Sequence, residues 1–514
     1  MTRSLGESFK VSGEWFLPDN PNRRIAGTLS YSEGQIELDL NERFAPLRGT
    51  IRIGDAPQIY PLIHGITRKG EATTLVDSWS NGGDFNLGSG GVIETERLIS
   101  ARLILGAHIT AETTYPEAKF QIPGLQIWLS RKIFDSSFSR DETGQFTATY
   151  HAVGFSEEVS VREIDAKLIL GVSCKLGTDP FVSITAVSSG WVIIKPNSPR
   201  QLNWYVDQLT KITTLLTFLA GAPMSEDLVD ILVHDDPKIY AGVFGVQRDA
   251  KYCTFKNLHN FYMPRGALGD NFSNIVNRWF EVYEKVRVPS QLATSVLVPE
   301  KIWLNVEFLS LFHALEGFHR GLRDGNYMNP DDYKDVQKTL SDAIPNQVSS
   351  SHKDALRSRI RYGNQFSLAK RLDELAALLS QPVRALIFGR DEKVPRQWID
   401  TRNYYSHWDE ELKNDILDGQ QMVYAVVRMR HFLRALYLNL IGVTQDLIHQ
   451  ALLNYSDESQ SLAQVNIIQR RLVDTNDPSG IIMTIDKQNV DKPHGEDRPA
   501  DPGADPTKSN PGTD

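Results

Sequence analysis

The sequence predicts an α+β multidomain protein. A β-rich N-terminal region, a sandwich or open barrel with some helix, is followed by an all-α helical bundle. Three observations carry this. Up to about residue 195, short runs alternate apolar and polar residues between glycine-rich loops, the period of half-buried strands. From about residue 300 the apolar spacing becomes 3 and 4 and stays so. The length, 514 residues, exceeds what one core usually supports and points to about three domains. The expected division is a β-rich domain at 1–195, a mixed α/β extension of it at 196–295, the helical domain at 300–455, and a disordered tail at 486–514.

Ile25–Tyr31 and Gln35–Leu40 flank a short turn at Ser32-Glu-Gly34 and read as two strands, with Ile36, Leu38 and Leu40 on one face. Further strands are expected at Leu98–Ile104, Leu125–Leu129, Thr147–His151, Leu168–Val172, Val182–Val187 and Gly190–Ile194. The glycines at Asn81-Gly-Gly83 and Gly88-Ser-Gly-Gly91 lack phosphate-loop spacing and read as turns. A helix opens after Pro199 and runs to about Ala220, burying Leu202, Tyr205, Leu209, Ile212, Leu216 and Leu219; Gly221-Ala-Pro223 stops it. Leu228–Val233 returns to strand. Residues 273–286 form a helix that Val288-Pro289 is expected to end.

In the helical part, Leu304, Phe308, Leu311, Leu315, Phe318 and Leu322 make a continuous bundle stripe. Helices follow at Asp331–Ile344, Lys353–Ile360 and Leu368–Ser380, with breaks at Pro345, Pro382 and Pro395. A long helix spans about 415–441, and a shorter one covers Gln445–Leu453. The end of the chain is rich in proline and almost without apolar residues, so burial cannot offset its ordering entropy.

Several classes are set aside early. No apolar run approaches the ~20 residues of a membrane span, and the opening residues contain no apolar segment of the secretory kind. Two cysteines, Cys174 and Cys253, make neither a disulfide framework nor a zinc site. A cytoplasmic protein without membrane association is expected. The net charge of −9 gives no general support for nucleic-acid binding. Residues 301–455, however, carry 20 Lys plus Arg against 19 Asp plus Glu, so the negative charge lies elsewhere.

The stretch that can carry chemistry is Arg402-Asn-Tyr-Tyr-Ser-His407. RNA cleavage without a metal needs a base for the 2′-hydroxyl, an acid for the departing 5′-oxygen and a cation for the phosphate. Histidine suits the first two, with an ordinary pKa near 6.5, and arginine the third, with its two-pronged grip on phosphate. On a helix, Asn403 and His407 share a face, while Arg402 lies about 140° around from His407. Such a split arrangement would be completed by a second copy across a dimer. On spacing alone, such a pair is more often a surface ion-pair arginine and a capping or core histidine; the all-helical setting and the first helix carrying Glu316 and Arg320 strengthen the catalytic reading. Glu316 is expected to pair with Arg320, four residues on, with support of the site as its other role.

With those residues in place, residues 300–455 resemble an ApeA-like HEPN domain, on the first helix Phe308–Arg320 and the Arg-Asn-x-x-x-His motif at 402–407. The β-rich part, including Gly13-Glu-Trp-Phe-Leu-Pro18 and Ile25–Leu40, is similar to the N-terminal domain found with it in ApeA-type proteins. The resemblance implies a metal-independent endoribonuclease of abortive-infection defence against bacteriophage, active as a homodimer or higher homo-oligomer. Its N-terminal region would sense a phage-derived activator or restrain the nuclease. Arg402 and His407 take the catalytic positions and Asn403 the polar position beside the arginine. Some HEPN toxins carry a tyrosine two residues after the histidine; here Asp409 stands there, so regulation through such a tyrosine is not implied.

RNA phosphates are expected to meet Arg357 and Arg361 in one basic cluster and Arg430 and Arg434 in another. Tyr405 is a candidate for base stacking. No cofactor and no metal are expected. The alternative reading is a non-catalytic, dimerising interaction protein whose β-rich domain binds a protein or ligand.

Overall fold

Alternating inward apolar and outward polar residues let the first strands curl onto a shared core. These are β1 (Phe9–Leu17), β2 (Asn20–Ser32), β3 (Gln35–Leu40), β4 (Ile59–Thr67), β5 (Ala72–Ser80), the small hairpin of β6 (Phe85–Gly88) and β7 (Gly91–Glu94), and β8 (Glu96–Leu105). The computed structural model describes residues 5–45 except 33, 57–130 except 89 and 90, 134–245 except 141, 143, 145, 153, 180–182 and 236, 258–296, and 302–474 except 455. The expected tail at 486–514 and Cys253 lie outside the described residues. Six strands run in the order β8-β3-β2-β1-β4-β5, and β5 pairs back onto β8. Of the two expected forms the barrel is the one found, and it is closed, which leaves no free edge around its circumference. Inside lie Trp15, Leu29, Leu38, Ile63, Leu75, Leu98 and Leu103, all fully buried. Trp15 fits because Gly65 on the neighbouring strand has no Cβ; one there would stand 2.3 Å from the indole.

The sheet does not stop at the barrel. The later strands are β9 (Thr114–Tyr115), β10 (Ala118–Gln121), β11 (Phe134–Arg140), β12 (Phe146–Ala152), β13 (Phe155–Val161), β14 (Ala166–Asp179), β15 (Ser183–Pro196), β16 (Arg200–Gln201), β17 (Leu228–Asp235) and β18 (Lys238–Phe244). From the end of β8 the order runs β18-β17-β10-β15-β14-β13, all antiparallel, while β11–β12 and β9–β16 form separate two-stranded pairs. The strand expected at Leu125–Leu129 is instead a single helical turn, α1 (Leu125–Trp128), entered through Gly124 at φ 85°. Its apolar run is too short for periodicity to separate the two forms. Leu125 and Trp128 fall on the buried side three residues apart, and Gly190 makes room for the turn beneath it.

The helices are α2 (Leu202–Ala220), α3 (Phe272–Ser295), α4 (Leu304–Leu322), α5 (Pro330–Asp342), α6 (Ser350–Tyr362), α7 (Leu368–Ala376), α8 (Gln381–Phe388), α9 (Arg396–His407), α10 (Gly419–Leu440), α11 (Gln445–Leu453) and α12 (Asp457–Asp474). Helix α2 stops at Gly221, φ 87°, as expected. Helix α3 does not stop at Pro289 but carries it in its interior. The ring packs on Gly317 of α4, where an added Cβ would sit 3.4 Å from it. The apolar stripe of α4 is buried at Phe308, Leu311, Leu315 and Phe318. Helix α10 lies against α4, α8, α11 and α2 and is the most buried helix of the bundle's centre. Phe218 of α2, Trp279 of α3, Phe318 of α4 and Tyr437 of α10 meet as one aromatic cluster, with Phe218 and Tyr437 stacked at 4.1 Å. Residues 1–467 form one compact unit in which the β-rich and helical parts share this core; the second unit begins at 468, and its described residues are the last turns of α12.

Candidate active site

Helix α9 begins after Pro395, whose fixed φ suits a helix start, and buries Trp398, Ile399 and Thr401. Thr401 bonds backward to the Gln397 carbonyl at 2.7 Å and accepts from the Leu417 amide at 2.9 Å, so the loop leading to α10 is tied to α9. Packing against α4 and α7 fixes the opposite side. The helix ends at His407, and Trp408 follows in the left-handed conformation at φ 53°, its amide bonded to the Tyr404 carbonyl at 2.7 Å.

Arg402, Asn403 and His407 therefore stand on one helix, the first two half-buried and His407 exposed. The Arg402 guanidinium is held from two sides. Its Nη1 donates to Asn403 Oδ1 at 3.2 Å, and its Nη2 lies 3.6 Å from Glu316 Oε2 on α4. Its Nε is buried with no hydrogen-bond partner among the described residues. Glu316 also takes Arg320, at 3.0 Å from Nε and 2.9 Å from Nη2. One carboxylate thus clamps two arginines, the expected partner Arg320 and Arg402 on α9. Two guanidiniums around one carboxylate leave a net positive centre on the helix that ends in His407, whose exposed imidazole has no side-chain hydrogen bond or ion pair among the described residues. Such a centre can attract a phosphate to the part of the Arg402 side chain that remains exposed.

Around this centre, Tyr405 is half-buried and packs on the core, with Tyr404 edge-on to it at 5.4 Å. Trp408, 70 % exposed, stands edge-on to Tyr404 at 6.0 Å. Arg357 and Arg361 lie exposed on α6; among the described residues Arg357 pairs with Asp354, at 3.4 Å. The expected basic cluster on α10 is turned inward instead. Arg434 is 2 % exposed, bonded to the Gly221 carbonyl at 3.2 Å and Glu458 at 3.4 Å, and its guanidinium lies over the Tyr262 ring. Arg430 grips Glu307 of α4, with Nε at 2.6 Å. Arg428 is buried and bonded to Asn466 at 2.8 Å. Buried guanidiniums need partners within the chain, which Arg428 and Arg434 have. Arg434 is an interior contact here rather than a phosphate contact, and Arg430, 28 % exposed, is committed to Glu307.

His319 is also structural. Its Nδ1 accepts from Arg371 at 3.0 Å and its Nε2 faces Glu374 at 3.0 Å, while burial holds its pKa below the ordinary value. What the sequence reading did not find is the bridge from Glu316 to Arg402, which joins two helices far apart in the chain, and Trp408 beside His407.

A closed β-barrel extended into a large sheet, followed by a helical bundle with an Arg-Asn-x-x-x-His helix, defines a two-part effector-like architecture. The family model for ApeA N-terminal domain 1 matches residues 10–279, and that for Apea-like HEPN matches residues 309–447. The first match alone spans more than half of the chain, which belongs to the ApeA family. Comparison with curated proteins and with solved structures finds no match. This pairing of domains is that of abortive-infection effectors acting against bacteriophage, and HEPN domains are generally ribonucleases. No described helix is long and apolar enough to cross a membrane.

Proposed function

We propose that the chain is a metal-independent endoribonuclease that acts as a homodimer in anti-phage defence, with Arg402, Asn403 and His407 as its catalytic residues. The observation that carries this reading is the Arg402 guanidinium, pinned by Glu316 and Asn403 with its Nε unanswered, on the helix whose exposed end is His407.

In the reaction, the 2′-oxygen attacks the adjacent phosphorus while the bond to the 5′-oxygen breaks. One imidazole removes the 2′-proton and another protonates the leaving oxygen, giving a 2′,3′-cyclic phosphate and a 5′-hydroxyl. A single chain contributes one such histidine, so the second comes from a second copy. Arg402 stabilises the charge gathering on the phosphate, and its fixed orientation avoids reorganisation in the transition state. Asn403 keeps the guanidinium aimed and can itself donate to a phosphate oxygen. The N-terminal region is assigned the sensing or restraining role, with a phage-derived molecule as its signal.

Purified protein is expected to cleave RNA in excess chelator and to leave cyclic phosphate ends on end-mapping. A folded His407→Ala variant should lose about 10²–10⁴ in rate. Undiminished cleavage by that variant would sink the assignment. Full phage protection by an Arg402→Ala/His407→Ala double variant would point instead to a non-catalytic interaction protein.

A further inference from the structure

We infer that the basic face of α6 is a docking track for the RNA backbone, continuous with the active site through Arg320. This rests on the ribonuclease reading and extends it to the substrate class: an RNA strand that runs several nucleotides past the scissile bond on the α6 side. Helix α6 has no buried residue. A helix that contributes so little to a core is retained for its exposed surface.

That surface is strongly one-signed. Helix α6 carries Lys353, Arg357, Arg359 and Arg361 against Asp354 alone, whereas α5 beside it carries four aspartates and two lysines. The hairpin thus separates its charges, acid on one helix and base on the other. Lys353, Arg357 and Arg361 recur every four residues and form one stripe, each step rising about 6 Å. The ion pair of Arg357 with Asp354 is solvent-exposed and of little strength, so a phosphate can displace it.

The position of the stripe joins it to the chemistry. The chain leaving the C-terminal end of α6 reaches Gln365, whose Oε1 accepts from Arg320 Nη1 at 3.2 Å. Arg320 shares the Glu316 carboxylate with Arg402. From Arg402 through Glu316 and Arg320, consecutive contacts therefore reach Gln365, three residues past the end of α6. Arg320 is half exposed, so beside its contacts to Glu316 and Gln365 its outer side can face a phosphate. On this assignment it binds the nucleotide next to the one cleaved, and Arg361 and Arg357 bind those beyond.

The test uses the full chain and single-stranded RNAs of increasing length, fully 2′-O-methylated so that they bind but cannot be cut. For single strands the slope of log K against log salt is about −0.7 per phosphate neutralised. Arg357→Gln/Arg361→Gln should make it shallower by about 1.4, and Arg320→Gln by about 0.7. In cleavage assays on unmodified RNA, the gain in kcat/KM with substrate length seen in the wild type should flatten in both variants. Lys167→Gln, on the exposed side of β14, should change neither measurement. Wild-type slopes and length dependence in the variants would overturn the track while leaving the nuclease standing. Absence of both binding and cleavage by the wild type would overturn the track and the reading beneath it. Loss of dimer in the double variant with an unchanged salt slope would assign the face to a second copy of the chain and overturn the inference.

Discussion

Arg402 sits in a half-buried position where an unanswered charge would be costly, and Glu316 is what makes the position tenable. The carboxylate comes from α4 and the arginine from α9, so the pair also fixes the rotation of the two helices relative to each other. Because Glu316 is divided between Arg402 and Arg320, neither guanidinium is fully neutralised, and both retain attraction for an anion. Arginine is required for geometry as much as for charge. Its planar fork reaches Glu316 and Asn403 with two separate nitrogens, which a lysine ammonium cannot reproduce. Arg402→Lys should therefore lower kcat by about 100-fold. The same variant should lose less than about 1 kcal/mol of stability, since the pair is partly solvated. Steady-state cleavage together with urea unfolding separates the two effects, and a variant with wild-type kcat would show that charge alone suffices at this position.

At the scale of the helices, the seam between α3 and α4 holds the β-rich and helical parts together, and its closeness has a specific cause. Pro289 has no amide proton, so the Lys285 carbonyl one turn earlier lacks its helical donor. That carbonyl points at Gly321 of α4, where a Cβ would lie only 2.1 Å away, while the Pro289 ring rests on Gly317. Gly321→Ala should destabilise the protein by about 1–3 kcal/mol through overpacking against a backbone atom that cannot yield. Gly317→Ala should cost clearly less, and equal costs in chemical denaturation would contradict this account. The seam also shows what a sequence can tell. The stripe Phe308, Leu311, Leu315 and Phe318 was readable because a long helix with one buried face imposes its period on the residues. So was the Arg402 to His407 spacing, together with the Glu316–Arg320 pair one turn apart. Pro289 misled because the rule that proline ends a helix is local, whereas the glycines that let the helix continue lie on another element. The inward turn of Arg428, Arg430 and Arg434 was hidden for the same reason: a cluster of arginines reads as basic surface until the helices that enclose it are known. Helix α12, which supplies Glu458, lies wholly beyond the expected end of the helical domain, and with it went the partner of Arg434.

Across the whole molecule, the N-terminal region and the helical bundle are fastened by a buried polar cluster as well as by aromatic packing. Arg434 and His431 project from α10; Glu458 comes from α12, and Tyr262 and the Gly221 carbonyl come from the β-rich side. His431 is fully buried, its Nε2 against the Glu458 carbonyl at 2.9 Å, and burial pushes its pKa down to about 4. It is therefore neutral at pH 7, and its 3.9 Å approach to the Glu458 carboxylate is no ion pair there. Burial raises the Glu458 carboxyl, but Arg434 and the other cations around it prevail and hold it below the ordinary value. The signs of the two groups agree. An unfolded chain takes up a proton on His431 near pH 6.5, whereas the folded chain resists until about 4, so the stability this group confers is present above 6.5 and declines as pH falls through that window. Glu458 adds a loss of the same sign below about pH 4.5. Acidification from pH 7 to pH 5 should then cost about 2 kcal/mol through His431. The loosening should be local as well as global, because the cluster is the polar fastening between the two parts. Amide exchange, corrected for its intrinsic pH dependence, should rise at 261–263 and at the start of α12 before it rises in the barrel strands. His431→Gln, which cannot titrate, should flatten the stability profile between pH 5 and 7. An equally steep profile in that variant would place the acid sensitivity elsewhere. The same fastening is joined by contacts to the candidate site, since α10 carries Arg430, which holds α4 through Glu307, and α4 carries the carboxylate that meets Arg402.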